Sequence, residues 1–196
     1  TGQPSGVLLA ELDRRVARVI SGVNWIRIED MHAIAPTFPP EHLPHLQAAL
    51  FEIAATPLRA AHLVAQLAHE SDRFRALEEY ASGAAYEGRA DLGNTEPGDG
   101  KRYKGRGVIQ LTGRANYRRA GKYLGVDLER QPDLAALPAI AYQTAAHYWL
   151  DRGINAKADR DDIRGVTKLI NGGTNGLRDR KVLISAAKHA FFVNIT

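Results

Sequence analysis

The chain has 196 residues, with a hydrophobic share of 44% and a charged share of 24%, proportions that exclude a disordered tail and suit a folded domain. It contains no cysteine, which rules out a disulfide framework, thiolate catalysis and cysteine-ligated metal. A formal charge of +4 favours acidic polymers as partners. The basic residues form no dense run and no nucleic-acid-binding motif, so no nucleic-acid partner is expected.

No apolar run has transmembrane length and no basic-then-apolar leader opens the chain, so no membrane span is expected. Thr1 in place of Met suggests a trimmed chain. Residues 1–196 read as one catalytic domain, with 1–6 as a possible linker stub.

In chain order, Val7 to Ile20 carries a helical stripe of Leu8, Leu9, Leu12, Val16, Val19 and Ile20. Ser21 to Pro40 reads as a loop or short turn. Glu41 to Ala55 predicts a second helix with Leu46, Leu50 and Ile53 on one face. Thr56-Pro57 is a cap followed by a first-turn proline. The helix it opens, through Leu58, Ala61, Leu63, Val64, Leu67 and Ala68, delivers Glu70 at its C-terminal end. Ser82 to Gly107 is glycine-rich and irregular, and an irregular stretch of that length inside a compact domain points to function or disorder. Val108, Ile109 and Leu111 read as a short strand or extended segment that places Gln110 and Thr112 on one face, the alternative being a glycine-rich surface turn followed by a helix at Asn116. Helices are predicted over Ala139 to Leu150, Asp161 to Ile170 and Thr174 to Phe192.

Chemistry concentrates in three places. His69-Glu70-Ser71 is followed nine positions later by Glu79, beyond the helix. Two carboxylates in different surroundings, one protonated and one ionised, suit acid/base cleavage of a glycosidic bond. The segment from Lys101 to Tyr117 gathers glycines, an aromatic ring, amides and hydroxyls, and neutral donors and acceptors suit a sugar. Ile170-Asn171-Gly172-Gly173 is a helix-loop-helix turn followed by Asp179-Arg180. A zinc helix is ruled out because position 73 is Arg and not the second His of His-Glu-x-x-His, and His32, His42, His45, His62 and His147 lack ligand spacing. Glu78 and Glu87 compete with Glu79 for the second catalytic role, and Glu79 is preferred.

Together these blocks resemble glycoside hydrolase family 19, the chitinase-like and phage endolysin family, from about Leu58 to Arg180. The resemblance implies a mainly α, lysozyme-like bilobal domain with a small irregular or β-containing lobe, a deep glycan cleft and no cofactor. It also implies Glu70 as general acid and Glu79 as the base that activates water in an inverting displacement. Tyr103, Gln110, Thr112 and Asn116 fall on substrate-binding or supporting positions, and Asn171 with Arg180 on a hydrogen-bonding pair behind the carboxylates. Arg180 is expected beside Glu79 or the Asn171 turn, holding the base ionised.

Two features depart from the plant chitinases: Asp72-Arg73 replaces the usual glycine pair, and disulfides are absent. Both point to the phage and bacterial branch and to peptidoglycan. The expected activity is therefore that of an endolysin- or muramidase-like hydrolase acting as a monomer on the bacterial wall, made in the cytoplasm and released without a leader. The alternatives are a chitinase, an inactive glycan-binding module, or a lytic transglycosylase that would need one carboxylate only.

Overall fold

The computed structural model describes residues 25–193. The expected Val7–Ile20 helix and the 1–6 stub lie outside the described residues.

The first described helix, α1 (Ile28–Ile34), falls where a loop was expected. Its signal is short: the backbone N–H of Arg27 donates to Asp30 Oδ2 at 2.9 Å, closing the first turn, and Met31 and Ile34 are buried. A 3₁₀ turn over Pro40–His42 leads into α2 (Leu43–Glu52), which buries Leu46, Ala49 and Leu50.

The central helix is α3 (Pro57–Glu70). Thr56 Oγ1 accepts from the Arg59 N–H at 3.2 Å and Pro57 occupies the first turn, as the sequence predicts. From Ala60 to Ala68 every residue is buried, so this helix runs through the protein and is not laid along its surface. Its end is built by Ser71, whose Oγ donates to Leu67 O at 2.7 Å and accepts from the Phe74 N–H at 3.0 Å. Asp72, Arg73 and Phe74 then follow with φ of 49°, 59° and 66°, three consecutive left-handed residues that are not glycine. Phe74 is buried edge-on against Phe38, their centroids 4.9 Å apart, which anchors the turn in the core.

Residues 84–86 and 90–92 form 3₁₀ turns and Asp99–Arg102 a single helical turn, α4. The expected strand at Val108–Leu111 is instead a tight turn. Gly107 and Gln110 both have positive φ, 75° and 55°, and the Gln110 N–H returns to Gly107 O at 3.0 Å. Among the described residues, β structure is confined to the isolated bridges Glu78–Arg106 and Arg106–Leu111. The apolar run that imitates a strand has another cause: Val108 and Ile109 plug one apolar cluster while Leu111 enters another.

The remaining helices are α5 (Arg114–Leu124), α6 (Pro138–Asp151), α7 (Asn155–Ala158), α8 (Ile163–Asn171) and α9 (Leu177–Val193). The fold is mainly α. Its large core joins α1, α2, α3, α6 and α9 around Leu63, Val64, Leu67, Trp149 and Phe191. A smaller cluster packs Tyr103, Leu111, Tyr117, Leu124, Leu128 and Ile140 beneath α5. Helix α6 contributes to both, Ile140 to the smaller and Tyr142, Ala145 and Trp149 to the larger. α9 packs extensively on α3, and this contact sets what lies beside Glu70.

Candidate active site

Glu70 is the last residue of α3, its side chain 20% exposed. Its Oε1 accepts from Arg180 Nη2, and Arg180 Nη1 reaches Gln66 Oε1 one turn earlier on α3. Arg180 is fully buried. This corrects the expected placement of Arg180 beside Glu79 or the Asn171 turn. The first turn of α9 lies against the last turn of α3, so the guanidinium meets the first glutamate. Asn171 does not join it: its Oδ1 accepts from the Gly173 N–H at 3.1 Å and closes its own turn.

A second set of bonds fixes the same helix end from the side. His69 Nδ1 lies 2.6 Å from Asp179 Oδ2, and Arg73 Nη2 donates to Asp179 Oδ1 at 2.6 Å. Arg73 first, and His69 to a smaller extent, hold the Asp179 carboxyl below its usual range. Gly176, at φ 70°, presents bare backbone to the His69 ring, where a Cβ would collide.

Glu79 is positioned by backbone. Its N–H donates to Gly105 O at 2.9 Å, and its carbonyl accepts from Lys104 Nζ at 3.3 Å. Its Oε2 accepts from the Tyr86 hydroxyl at 3.0 Å, while its Oε1 is buried without a hydrogen-bond partner. Burial first and the hydrogen bond to Glu79 second raise the Tyr86 hydroxyl above its usual pKa, so it stays a donor at neutral pH. Gly105 leaves room for both side chains: a Cβ on it would stand 2.7 Å from Gln110 Oε1 and 2.9 Å from Glu79 Oε2 and displace them. The rival glutamates have other partners. Glu78 pairs with Lys104 at 2.6 Å, and Glu87 accepts from the N–H groups of Gly98 and Gly100 at 2.6 and 2.8 Å.

A surface depression of about 320 Å³ brings the pieces together. Glu70, Gln110, Thr112, Asn116 and Asn171 line it. Tyr86 also lines it, so Glu79, which is not in the wall itself, is one hydrogen bond behind it. Gln110 and Thr112 share this surface by way of the turn: Thr112 Oγ1 donates to Gln110 O at 2.9 Å, and Asn116 Nδ2 donates to Thr112 O at 2.7 Å. Tyr103 is the misplaced expectation. It is 1% exposed, its ring packs on Tyr117 at 5.4 Å and its hydroxyl donates to Glu129 O at 3.0 Å, which makes it a core residue of the smaller cluster.

Sequence reasoning missed Tyr86, Arg89, Tyr148 and Arg152, which line the same depression. The Tyr148 hydroxyl donates to Ile170 O at 2.7 Å, tying α6 to the end of α8, and the Arg152 guanidinium lies 3.5 Å from the Tyr148 ring centroid. Arg89 is paired with Asp91 at 2.6 Å.

The family profile described as Chitinase class I matches residues 59–174. The chain belongs to glycoside hydrolase family 19. A family 19 domain-containing protein of Haemophilus influenzae is 35% identical over 114 residues, covering 58% of this chain and 55% of that protein. An endochitinase of Arabidopsis thaliana is 40% identical over 125 residues, 62% of this chain and 42% of the relative. The chain thus spans about half the length, or less, of these curated relatives. Among solved structures, chitinase C of Streptomyces griseus superposes with a TM-score of 0.72 at 21% identity, covering 86% of this chain and 93% of that one. A class IV chitinase of Zea mays gives 0.60 at 19% identity, covering 95% and 92%. These likenesses establish a family 19 chitinase-like fold for this member.

Proposed function

We propose that this family 19 chain hydrolyses β-1,4-linked amino-sugar strands of peptidoglycan by a single inverting displacement. Glu70 donates a proton to the leaving oxygen and Glu79 takes one from the attacking water. The observation that carries this reading is the convergence of both glutamates on one depression, Glu70 in its wall and Glu79 behind Tyr86. Arg180 fixes one oxygen of Glu70, which leaves the other to face the bond being broken. Tyr86 fixes one oxygen of Glu79, and the second is buried without a hydrogen-bond partner, so a rotation of the side chain toward the depression is the step that brings the base to the attacking water. Gln110, Thr112 and Asn116 offer neutral hydrogen-bonding groups to the N-acetyl and hydroxyl substituents.

Peptidoglycan is preferred because a cation, Arg152, stands in the same wall over the Tyr148 ring. N-acetylmuramate carries an acidic lactyl-peptide arm, whereas chitin is neutral. Chitin is the second reading, supported by the endochitinase names of the Arabidopsis relatives. The two are separated by measuring new reducing ends from purified sacculi and from soluble chitin oligomers in parallel, with Glu70→Gln as control. Release from sacculi that Glu70→Gln does not reduce would refute the catalytic assignment. Release from chitin oligomers alone would transfer the reading to chitin.

A further inference from the structure

A larger depression, about 620 Å³, opens beside the smaller apolar cluster and has no part in the chemistry above. Five cationic side chains line it, Lys101, Arg102, Arg106, Arg114 and Arg130, against two carboxylates, Asp99 and Asp133. Both carboxylates are committed. Asp99 is held by Arg114 at 2.5 Å, and Asp133, itself 87% exposed, pairs with Arg106 at 2.8 Å. Lys101, Arg102 and Arg130 are exposed, and none has a carboxylate partner among the described residues. Arg106 is 5% exposed, its Nη1 fixed by Arg102 O at 2.9 Å and by the Tyr117 hydroxyl at 3.2 Å, and its Nε makes no hydrogen bond. Arg106 and Arg114 are offset by Asp133 and Asp99, so the excess positive charge of this concave surface comes from Lys101, Arg102 and Arg130.

This groove and the catalytic depression share their construction. Arg114 lines one and Asn116 the other, both in the first turn of α5. Gly98 lines the groove and donates to Glu87, the neighbour of Tyr86 in the depression.

We infer that this groove is a second binding site, one that takes the carboxylates of peptide stems carried by the same glycan strand. The inference rests on the peptidoglycan reading above and deepens it: a strand seated in the depression carries acidic side arms at every second sugar, and the groove is the cationic surface built on the same helix start. Carboxylate arms fit a set of separately mounted, exposed ammonium and guanidinium groups, each able to take one carboxylate. Neutral chitin has nothing to place there.

The test is co-sedimentation in a Glu70→Gln background, so that binding is measured without digestion and stands apart from whether the enzyme cuts sacculi at all. The probes are sacculi freed of teichoic acid, and the same sacculi stripped of peptide by amidase treatment. Lys101→Glu with Arg130→Glu should weaken binding to intact sacculi roughly ten-fold at low salt and leave binding to stripped glycan unchanged, with Lys101→Gln and Arg130→Gln intermediate. A soluble acidic stem peptide should compete with intact sacculi. Equal binding of parent and charge-reversed protein to intact sacculi would overturn the site. Competition by inorganic phosphate but not by the stem peptide at equal ionic strength would overturn the carboxylate assignment. If reducing ends are never released from sacculi yet the charge-dependent binding persists, the catalytic reading fails and the groove stands.

Discussion

Replacing Arg180 by Ala removes a fully buried guanidinium that ties α9 to the end of α3. The guanidinium is fully buried and bonds Gln66 and Glu70 together. Gln66 is also fully buried, and its Nε2 already lacks a partner, so losing Arg180 strips the amide of its remaining hydrogen bond. An orphaned buried acceptor costs about 1–3 kcal/mol, and breaking a buried ion pair from one side costs about 3–5 kcal/mol. Because the Glu70 side chain keeps 20% exposure, water recovers part of this, and about 3 kcal/mol is the expected loss. For a chain of this size that corresponds to roughly a 10 °C fall in Tm. Urea denaturation and thermal melting of Arg180→Ala and Arg180→Lys measure it. The lysine should recover about half, because a single ammonium does not reproduce the fork that spans two acceptors. Glu70→Gln keeps a hydrogen-bond acceptor but leaves the buried Arg180 cation without its counter-charge, so it should lose stability too, less than Arg180→Ala, while losing turnover. An Arg180→Ala protein within about 0.5 kcal/mol of the parent would refute the reasoning, because that is the range of an ordinary surface substitution.

Other outcomes follow from the same geometry. Tyr86→Phe removes one hydrogen bond from Glu79 and should lower kcat about ten-fold, the equivalent of one such bond, with little change in Tm, whereas Glu79→Gln should abolish turnover; steady-state kinetics on sacculi separates them. Gly105→Ala introduces a methyl 2.7 Å from Gln110 Oε1 and 2.9 Å from Glu79 Oε2, so kcat should fall well before thermal stability does. Burial, outweighing the Asp161 hydrogen bond, holds His62 below the usual 6.5. Its Nδ1 is buried without a partner, so protonation would orphan a donor. Its contribution to stability is therefore fully present above pH 6.5 and lost as pH falls below it. Tm measured from pH 8 to pH 5 should show this decline, and His62→Gln should flatten it. Proton NMR of the first product from the β-linkage should show the α anomer, and a β anomer would refute inversion.

The sequence spoke most clearly where signals were local. The Thr56-Pro57 start, the apolar periodicity behind it and the arrival of Glu70 at the helix end are all present in α3. The Asn171-Gly172 turn and the helices on either side of it are equally direct. What could not be read depended on contacts distant in sequence. Arg180 and Glu70 are 110 positions apart, and nothing near either names the other. Tyr148 lies on, and Arg152 caps, a helix whose pattern reads as core, and only the packing of α6 beside α8 exposes one edge to the depression. The strand error at Val108–Leu111 came from an apolar run with a real cause, burial into two clusters, but the positive φ of Gln110 bends it. Tyr103 was misjudged because an aromatic ring among amides looks like a sugar platform until its burial is known.

The left-handed run Asp72-Arg73-Phe74 has a consequence for how this sequence can drift. Where chitinases use a glycine pair, this chain carries the same backbone demand on side chains, and one of them, Arg73, holds Asp179 across to α9. Arg73→Gly would relieve about 1 kcal/mol of backbone strain but release Asp179, leaving His69 as its sole bonded partner. Asp179 changed alone would strand an arginine in a conformation it rarely adopts. Positions 73 and 179 should therefore vary together among near relatives, with Arg facing Asp or glycine facing a residue that needs no cation. Mixed pairs should be rare, so the identity of one position forecasts the other.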